Sequence, residues 1–98
     1  MPGLNKIIHE RARLMILTYL ASNEKKEISF NEIQQGLDFS SGNLSVQLRN
    51  LQQASYIDIQ KTFKDNKPYT TVSVTHQGSD ALSKYVAEME GIIKTLKK

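Results

Sequence analysis

Residues 56–75 read YIDIQKTFKDNKPYTTVSVT, and their rhythm differs from that of the sequence on either side. From Tyr56 to Phe63 the residues alternate, with Ile57, Ile59 and Phe63 on one face and Asp58, Gln60 and Thr62 on the other. The alternation resumes from Tyr69 to Thr75, in a run that is β-branched through its middle. A period of two is the mark of a strand, because successive side chains leave a strand on opposite faces. Between the runs lies Lys64-Asp65-Asn66-Lys67-Pro68, and an Asp-Asn pair suits a tight turn. The stretch is expected to be a β-hairpin, with Pro68 near the turn or on an edge, where its missing N–H is tolerated.

Upstream the period changes. Ser40 or Ser41 can cap a helix running to about Ala54, with Leu44, Leu48 and Leu51 at i, i+4 and i+7 facing inward. Ser29 with Glu32 forms a capping-box pattern that opens an earlier helix; Phe30, Ile33 and Leu37 are its buried face and Gly36 can close it. Before it stand a very short strand at Glu27-Ile28 and a polar break over 22–26. Leu4 to Ala21 reads as a helix of broad apolar coverage, buried on more than one side. Downstream, Thr75 to about Lys97 reads as a last helix, weakened at Gly91. The order is helix, short strand, helix, helix, strand, strand, helix. That is the winged helix-turn-helix arrangement, mainly α with a small hairpin (α+β).

Bulk properties bound the function. A chain of 98 residues suggests one domain over 1–98 with a modest core. Hydrophobic residues at 39% and charged ones at 23% suit a folded, soluble protein rather than a disordered one. The absence of cysteine excludes disulfides, thiolate catalysis and cysteine-ligated zinc, and fits a cytoplasmic protein. No apolar run is long enough for a membrane span, and His9, Glu10, Arg11 and Arg13 interrupt any signal-peptide pattern. The formal charge of +3 barely favours a nucleic-acid partner, so the placement of charges matters more than their sum.

That placement is informative in two places. The outer side of the third helix, about 41–54, offers Ser41, Gly42, Asn43, Ser45, Gln47, Arg49 and Asn50. Asn and Gln can pair with adenine in the major groove and Arg with guanine. No acid occurs between Phe39 and Ile57 to repel phosphate, and Gly42 and Asn43 place backbone N–H groups at the helix start. The alternative is an ordinary solvated polar face. In the hairpin, over 61–69, Lys61, Lys64, Asn66, Lys67 and Tyr69 gather at the tip, with Asp65 as the only acid. A basic loop beside a recognition helix can grip the DNA backbone or minor groove. The alternative is that the lysines only discourage edge pairing. Together, in this order, the two features favour double-stranded DNA as the partner.

The last helix, 76–97, carries Leu82, Tyr85, Met89, Ile92, Ile93 and Leu96 at steps of three and four. So long a stripe is expected to build a homodimer, with help from Leu4, Ile7 and Ile8 of the first helix, although packing within the monomer is the alternative. His9 and His76 have no cysteine or acidic cluster at ligand spacing, so neither a metal nor another cofactor is expected. No paired carboxylates, Ser-His-Asp set or Gly-rich phosphate loop points to an enzyme.

Several motifs also resemble a known family. Ile8-His9-Glu10-Arg11-Ala12-Arg13-Leu14-Met15-Ile16-Leu17 resembles the opening of small prokaryotic winged-helix transcriptional regulators related to the MarR and ArsR types. Gly42-Asn43-Leu44-Ser45-Val46-Gln47-Leu48-Arg49-Asn50-Leu51 is similar to their recognition helix. Lys61-Thr62-Phe63 with Lys67-Pro68-Tyr69-Thr70 resembles their wing, and Thr75-His76-Gln77-Gly78 the start of their last helix. The resemblance implies a dimer on a palindromic operator, with Asn43, Ser45, Gln47 and Arg49 in the recognition helix and Lys64 and Lys67 in the wing. Ser55 stands where a Gly is common, Gln47 where His is common and His76 where Pro is common. Any small-molecule effector would have to lie between the dimer helices and the DNA-binding part. A winged helix that binds only protein is the remaining alternative.

Overall fold

The computed structural model describes residues 4–97. Its elements are α1 (Arg11–Ser22), β1 (Ile28–Ser29), α2 (Phe30–Leu37), α3 (Ser41–Gln53), β2 (Ile57–Lys64), β3 (Lys67–Val74) and α4 (His76–Leu96), in the expected order. The antiparallel sheet has the strand order β1-β3-β2. β1 meets β3 only at Ile28↔Val72 and Ser29↔Thr71, whereas β2 and β3 pair from Ile57↔Val74 out to Lys64↔Lys67. The hairpin therefore runs well beyond the support of the third strand.

The first helix begins later than the apolar run suggests, and the cause is local. The Asn5 side-chain carbonyl accepts from the N–H groups of Ile7 and Ile8 at 2.9 and 3.1 Å. Glu10 is the N-cap of α1, accepting from the N–H groups of Ala12 and Arg13 at 3.1 and 3.0 Å. Two side-chain acceptors thus take the N–H groups that a continuous helix would have used, and residues 6–10 form turns and bends. Gly36 does not close α2: the helix passes through it and ends at Asp38, whose φ of 56° is left-handed. A Cβ at Gly36 would lie 3.0 Å from the Tyr19 ring, so the glycine lets α1 and α2 approach closely.

Capping and turn signals read from the sequence are met. Ser29 accepts from the Glu32 N–H at 3.1 Å and Ser40 from Asn43 at 3.1 Å, and Thr75, which the sequence did not mark as a cap, accepts from Gly78 at 2.9 Å. Each hydroxyl satisfies a donor that the first helical turn leaves unpaired. The hairpin turns on Asp65 and Asn66 alone, with φ of 54° and 64°; two left-handed residues match the twist of the flanking strands. The core unites Ile16, Leu17 and Leu20 of α1, Ile33 of α2, Leu44, Leu48 and Leu51 of α3, Ile28, Ile57 and Val72 of the sheet, and Leu82 and Tyr85 of α4. This core fixes which face of α3 is left to solvent.

Candidate nucleic-acid interface

Because Leu44, Leu48 and Leu51 are buried, the opposite side of α3 faces outward. Ser41, Gly42, Asn43, Ser45 and Arg49 are exposed there, as the sequence suggests, and a side chain at Gly42 would meet no atom within 4 Å. Gln47 and Asn50 behave differently, being half-buried. Asn50 lines a shallow hollow with Ile7, Arg13, Gln53 and Ala54, on the side of α3 toward the N-terminal segment.

Gln47 is held from both ends. Arg13 of α1 donates from Nη1 to Gln47 Oε1 at 2.9 Å, and Gln47 Nε2 donates to Asn43 Oδ1 at 3.2 Å. The Arg13 guanidinium is fixed in turn by Nε donating to the Ile7 carbonyl at 2.6 Å and by the Glu10 carboxylate at 3.8 Å. The Arg13 side chain is only 16% exposed. Sequence reasoning did not single out Arg13 as a functional residue. Its partner lies on another helix, at a distance in sequence that no periodicity reports.

The hairpin separates the basic residues into two sets. In an antiparallel ladder, residues directly opposite share a face. Ile57, Ile59, Lys61 and Phe63 of β2 thus share one face with Val74, Val72, Thr70 and Pro68. Lys64, Lys67, Thr62 and Tyr69 lie on the other. Lys61 belongs to a groove of about 610 Å³ between α3 and the sheet, with Ser45, Arg49, Gln52, Phe30, Ile59 and Thr70. On the far face Lys64 stands opposite Lys67, and its Nζ lies 5.0 Å from the centre of the Tyr69 ring. Phe63 shares the face of Ile57 and Ile59 as expected, yet it is 77% exposed, because the strands have by then run past the core. Like charges placed directly opposite cost stability, and a cation over an aromatic ring recovers part of it.

An exposed, acid-free helix face thus stands beside a basic hairpin, both mounted on one core. Residues 12–93 match the family of the winged helix DNA-binding domain. The chain belongs to this family. An uncharacterized protein of Methanocaldococcus jannaschii is 26% identical over 91 residues, covering 93% of this chain and 97% of that one. A transcriptional regulator homologue from Pyrococcus horikoshii OT3 has the same fold with a TM-score of 0.85 at 26% identity, over 94% of this chain and 89% of its own. MepR of S. aureus, solved in complex with DNA, matches with a TM-score of 0.71 at 20% identity, over 88% of this chain and 62% of its own. In the winged-helix arrangement, α3 occupies the place of the recognition helix and the β2–β3 hairpin that of the wing.

The residues expected at a dimer interface divide in the winged-helix structure. Ile8, Leu82 and Tyr85 are 0%, 8% and 4% exposed within the chain itself, so its own core takes the surface they were expected to give a partner. Leu4, Ile7 and Met89 are half-buried against that core. Ile92 is half-buried, while Ile93 and Leu96 stand 43% and 78% exposed. Val86, apolar in the same helix but not among the residues expected at the interface, is 42% exposed and completes a stripe of Val86, Met89, Ile93 and Leu96 at spacings of three, four and three. His9 Nδ1 lies 2.8 Å from the Tyr85 hydroxyl, tying the N-terminal segment to α4. Among the described residues no group of three or more His, Asp and Glu side chains comes together, and no helix is long and apolar enough to cross a membrane.

Proposed function

We propose that this protein is a transcriptional regulator that binds specific double-stranded DNA sites, and that it does so as a homodimer. One such domain spans residues 1–98, with 76–97 as the pairing helix. The carrying observation is the outward face of α3, where Ser41, Asn43, Ser45 and Arg49 are exposed without an acid among them. Side chains of these types match the donors and acceptors of the major groove. The wing supports the same reading. Lys64 and Lys67 oppose each other at its tip, and phosphate placed against that pair would relieve their repulsion. The complex of MepR with DNA shows that a protein of this fold has such a partner.

Two copies joined through the exposed stripe of α4 would set their recognition helices in successive major grooves, about 34 Å apart. Lys61, Lys64, Asn66, Lys67 and Tyr69 would then hold the flanking backbone or minor groove. Repression by excluding polymerase from the occupied site is the simplest outcome, in the cytoplasm, and no catalytic step belongs to this reading.

The test is binding of the full chain to a random pool of duplexes of about 30 base pairs across a salt series. Retention that falls steeply with salt is expected, with the slope reporting the phosphates neutralised. Sequencing the retained fraction should return a two-fold symmetric site. Absence of binding even at low salt would remove the proposal and leave a protein-binding winged helix as the better reading.

A further inference from the structure

We infer that Arg13, which lies outside the recognition helix, sets what that helix can read, by fixing the direction of two side-chain amides. This rests on the proposal that α3 reads base edges. The argument begins with what arginine lacks: its guanidinium is a donor only. The group that meets Arg13 Nη1 at 2.9 Å must therefore be the oxygen of Gln47 and not its nitrogen. With Oε1 so placed, Gln47 Nε2 is directed along the helix, where it meets Asn43 at 3.2 Å. That contact in turn requires the oxygen of Asn43 to face Gln47. The amides of Asn and Gln cannot otherwise be told apart by shape, but here a donor-only group settles both.

The consequence concerns specificity. A side-chain amide pairs with adenine by giving a proton to N7 and accepting one from N6, and so must turn its oxygen and its nitrogen together to one base edge. Here the oxygen ends of both amides are engaged within the protein. Each oxygen is thus committed in direction to its protein donor, and the groups left without a protein partner are N–H: the Nδ2 group of exposed Asn43 and the second hydrogen of Gln47 Nε2. A surface of donors favours bases that present acceptors in the major groove. Guanine presents two, N7 and O6, whereas cytosine presents the N4 donor and is disfavoured. The reading of Asn43 and Gln47 as adenine binders, natural from sequence, is thereby replaced by a preference for guanine opposite Asn43.

Arg13 is suited to this role by its anchorage. Its Nε bond to the Ile7 carbonyl at 2.6 Å and the Glu10 carboxylate at 3.8 Å hold the guanidinium before any DNA arrives. Arg13 is thus a positioning residue. It acts on DNA through Gln47 and Asn43.

The experiment compares wild type, Arg13→Met and Gln47→Glu, as full chains, by selection from a randomised duplex pool followed by sequencing. Side-chain amide NMR spectra and melting curves are recorded on the free proteins. In wild type, guanine should exceed adenine at one position of each half-site by about tenfold. Arg13→Met frees Gln47 to rotate, so that excess should fall to about twofold while retention of non-specific duplex at low salt is unchanged. Gln47→Glu keeps an acceptor for Arg13 but now offers Asn43 an oxygen. Asn43 must then turn and present Oδ1 outward, and the preference should shift toward bases with an amino group in the major groove. In the free protein, Arg13→Met should move the Gln47 and Asn43 side-chain amide signals together.

A folded Arg13→Met protein with wild-type base preference would overturn the inference. So would a loss of affinity for all sequences alike, which would make Arg13 a phosphate contact. Should Arg13→Met fail to fold, the Gln47→Glu arm decides: an unshifted preference would sink the idea. Wild-type protein that retains no duplex would end the proposed function itself and this inference with it. Retention without a difference between variants would end the inference alone.

Discussion

Two parts of the molecule reach beyond the core, and they are unlike in every respect but length. The wing projects from the sheet, and from Gln60 to Pro68 every residue is exposed. The second half of α4 projects from the helical side, carrying Val86, Ile93 and Leu96 on its surface. Together they draw the molecule out to 57 × 25 × 24 Å. The wing spends its exposure on lysines, the helix on aliphatic side chains. A lysine-rich projection is stable alone in water and gains from an anion, whereas an apolar stripe gains only from another apolar surface. On the proposed function, the contrast separates two kinds of partner, a polyanion for one arm and a second protein surface for the other.

The strongest way to break this comparison is to strike the root common to both arms. Gly78 of α4 lies so close to Tyr56, just ahead of the wing, that a Cβ there would sit 2.1 Å from the Tyr56 carbonyl oxygen. Backbone cannot yield as a flexible side chain would, so Gly78→Ala should cost about 3 kcal/mol, read as a lower urea midpoint. An unchanged midpoint would mean that α4 docks differently.

Next in size is Ile93→Glu, which addresses the α4 arm alone. Placing a carboxylate in a buried seam should weaken self-association roughly thirtyfold, about 2 kcal/mol, by sedimentation equilibrium, with the melting curve of the monomer unchanged. A chain already monomeric at high concentration would remove the stripe from consideration as an interface. Lys64→Ala addresses the wing alone. It should weaken binding to all duplexes alike and lower the salt slope by about one unit, and a loss confined to one sequence would contradict a backbone role.

The smallest effect sharpens the comparison by touching neither arm. Glu32 of α2 is held below the ordinary carboxylate range, first by its hydrogen bond from Lys25, whose Nζ lies 3.3 Å away; desolvation opposes this as the next largest effect, and the charge of Lys25 and hydrogen bonds with Ser29 add to the lowering. A depressed carboxylate contributes stability above its unfolded pKa and loses it as pH falls through the folded value. Melting temperature should thus fall with acid slightly less steeply in Glu32→Gln than in wild type, and an identical slope would show that the pair contributes nothing at the surface.

Local signals carried most of the fold into view. Capping serines at positions 29 and 40, the inward leucines of α3 and the Asp65-Asn66 turn all act over a few residues, and each is found as read. The exposed half of the α3 face was legible for the same reason. What escaped depends on contacts between elements. The start of α1 moved because Asn5 and Glu10 take N–H groups that apolar spacing says nothing about. Gly36 reads as a helix stop until Tyr19 is seen above it. Leu82 and Tyr85 carry the same spacing as the exposed residues of α4, and only packing against α1 tells core from surface. Ser55 keeps the left-handed φ of 66° that the glycine common at this place would adopt freely, so the departure from the family pattern changes the residue and leaves the bend.

The uneven pairing of β3 has a consequence in time. Near Val72 the strand has a neighbour on each side, whereas toward Pro68 it has only β2. Amide hydrogens at the first place exchange with solvent when the whole domain opens, and those at the second whenever the hairpin end frays. One strand thus contains a slow half and a fast half. The fast half can bend without disturbing the helices, which the slow half holds in place.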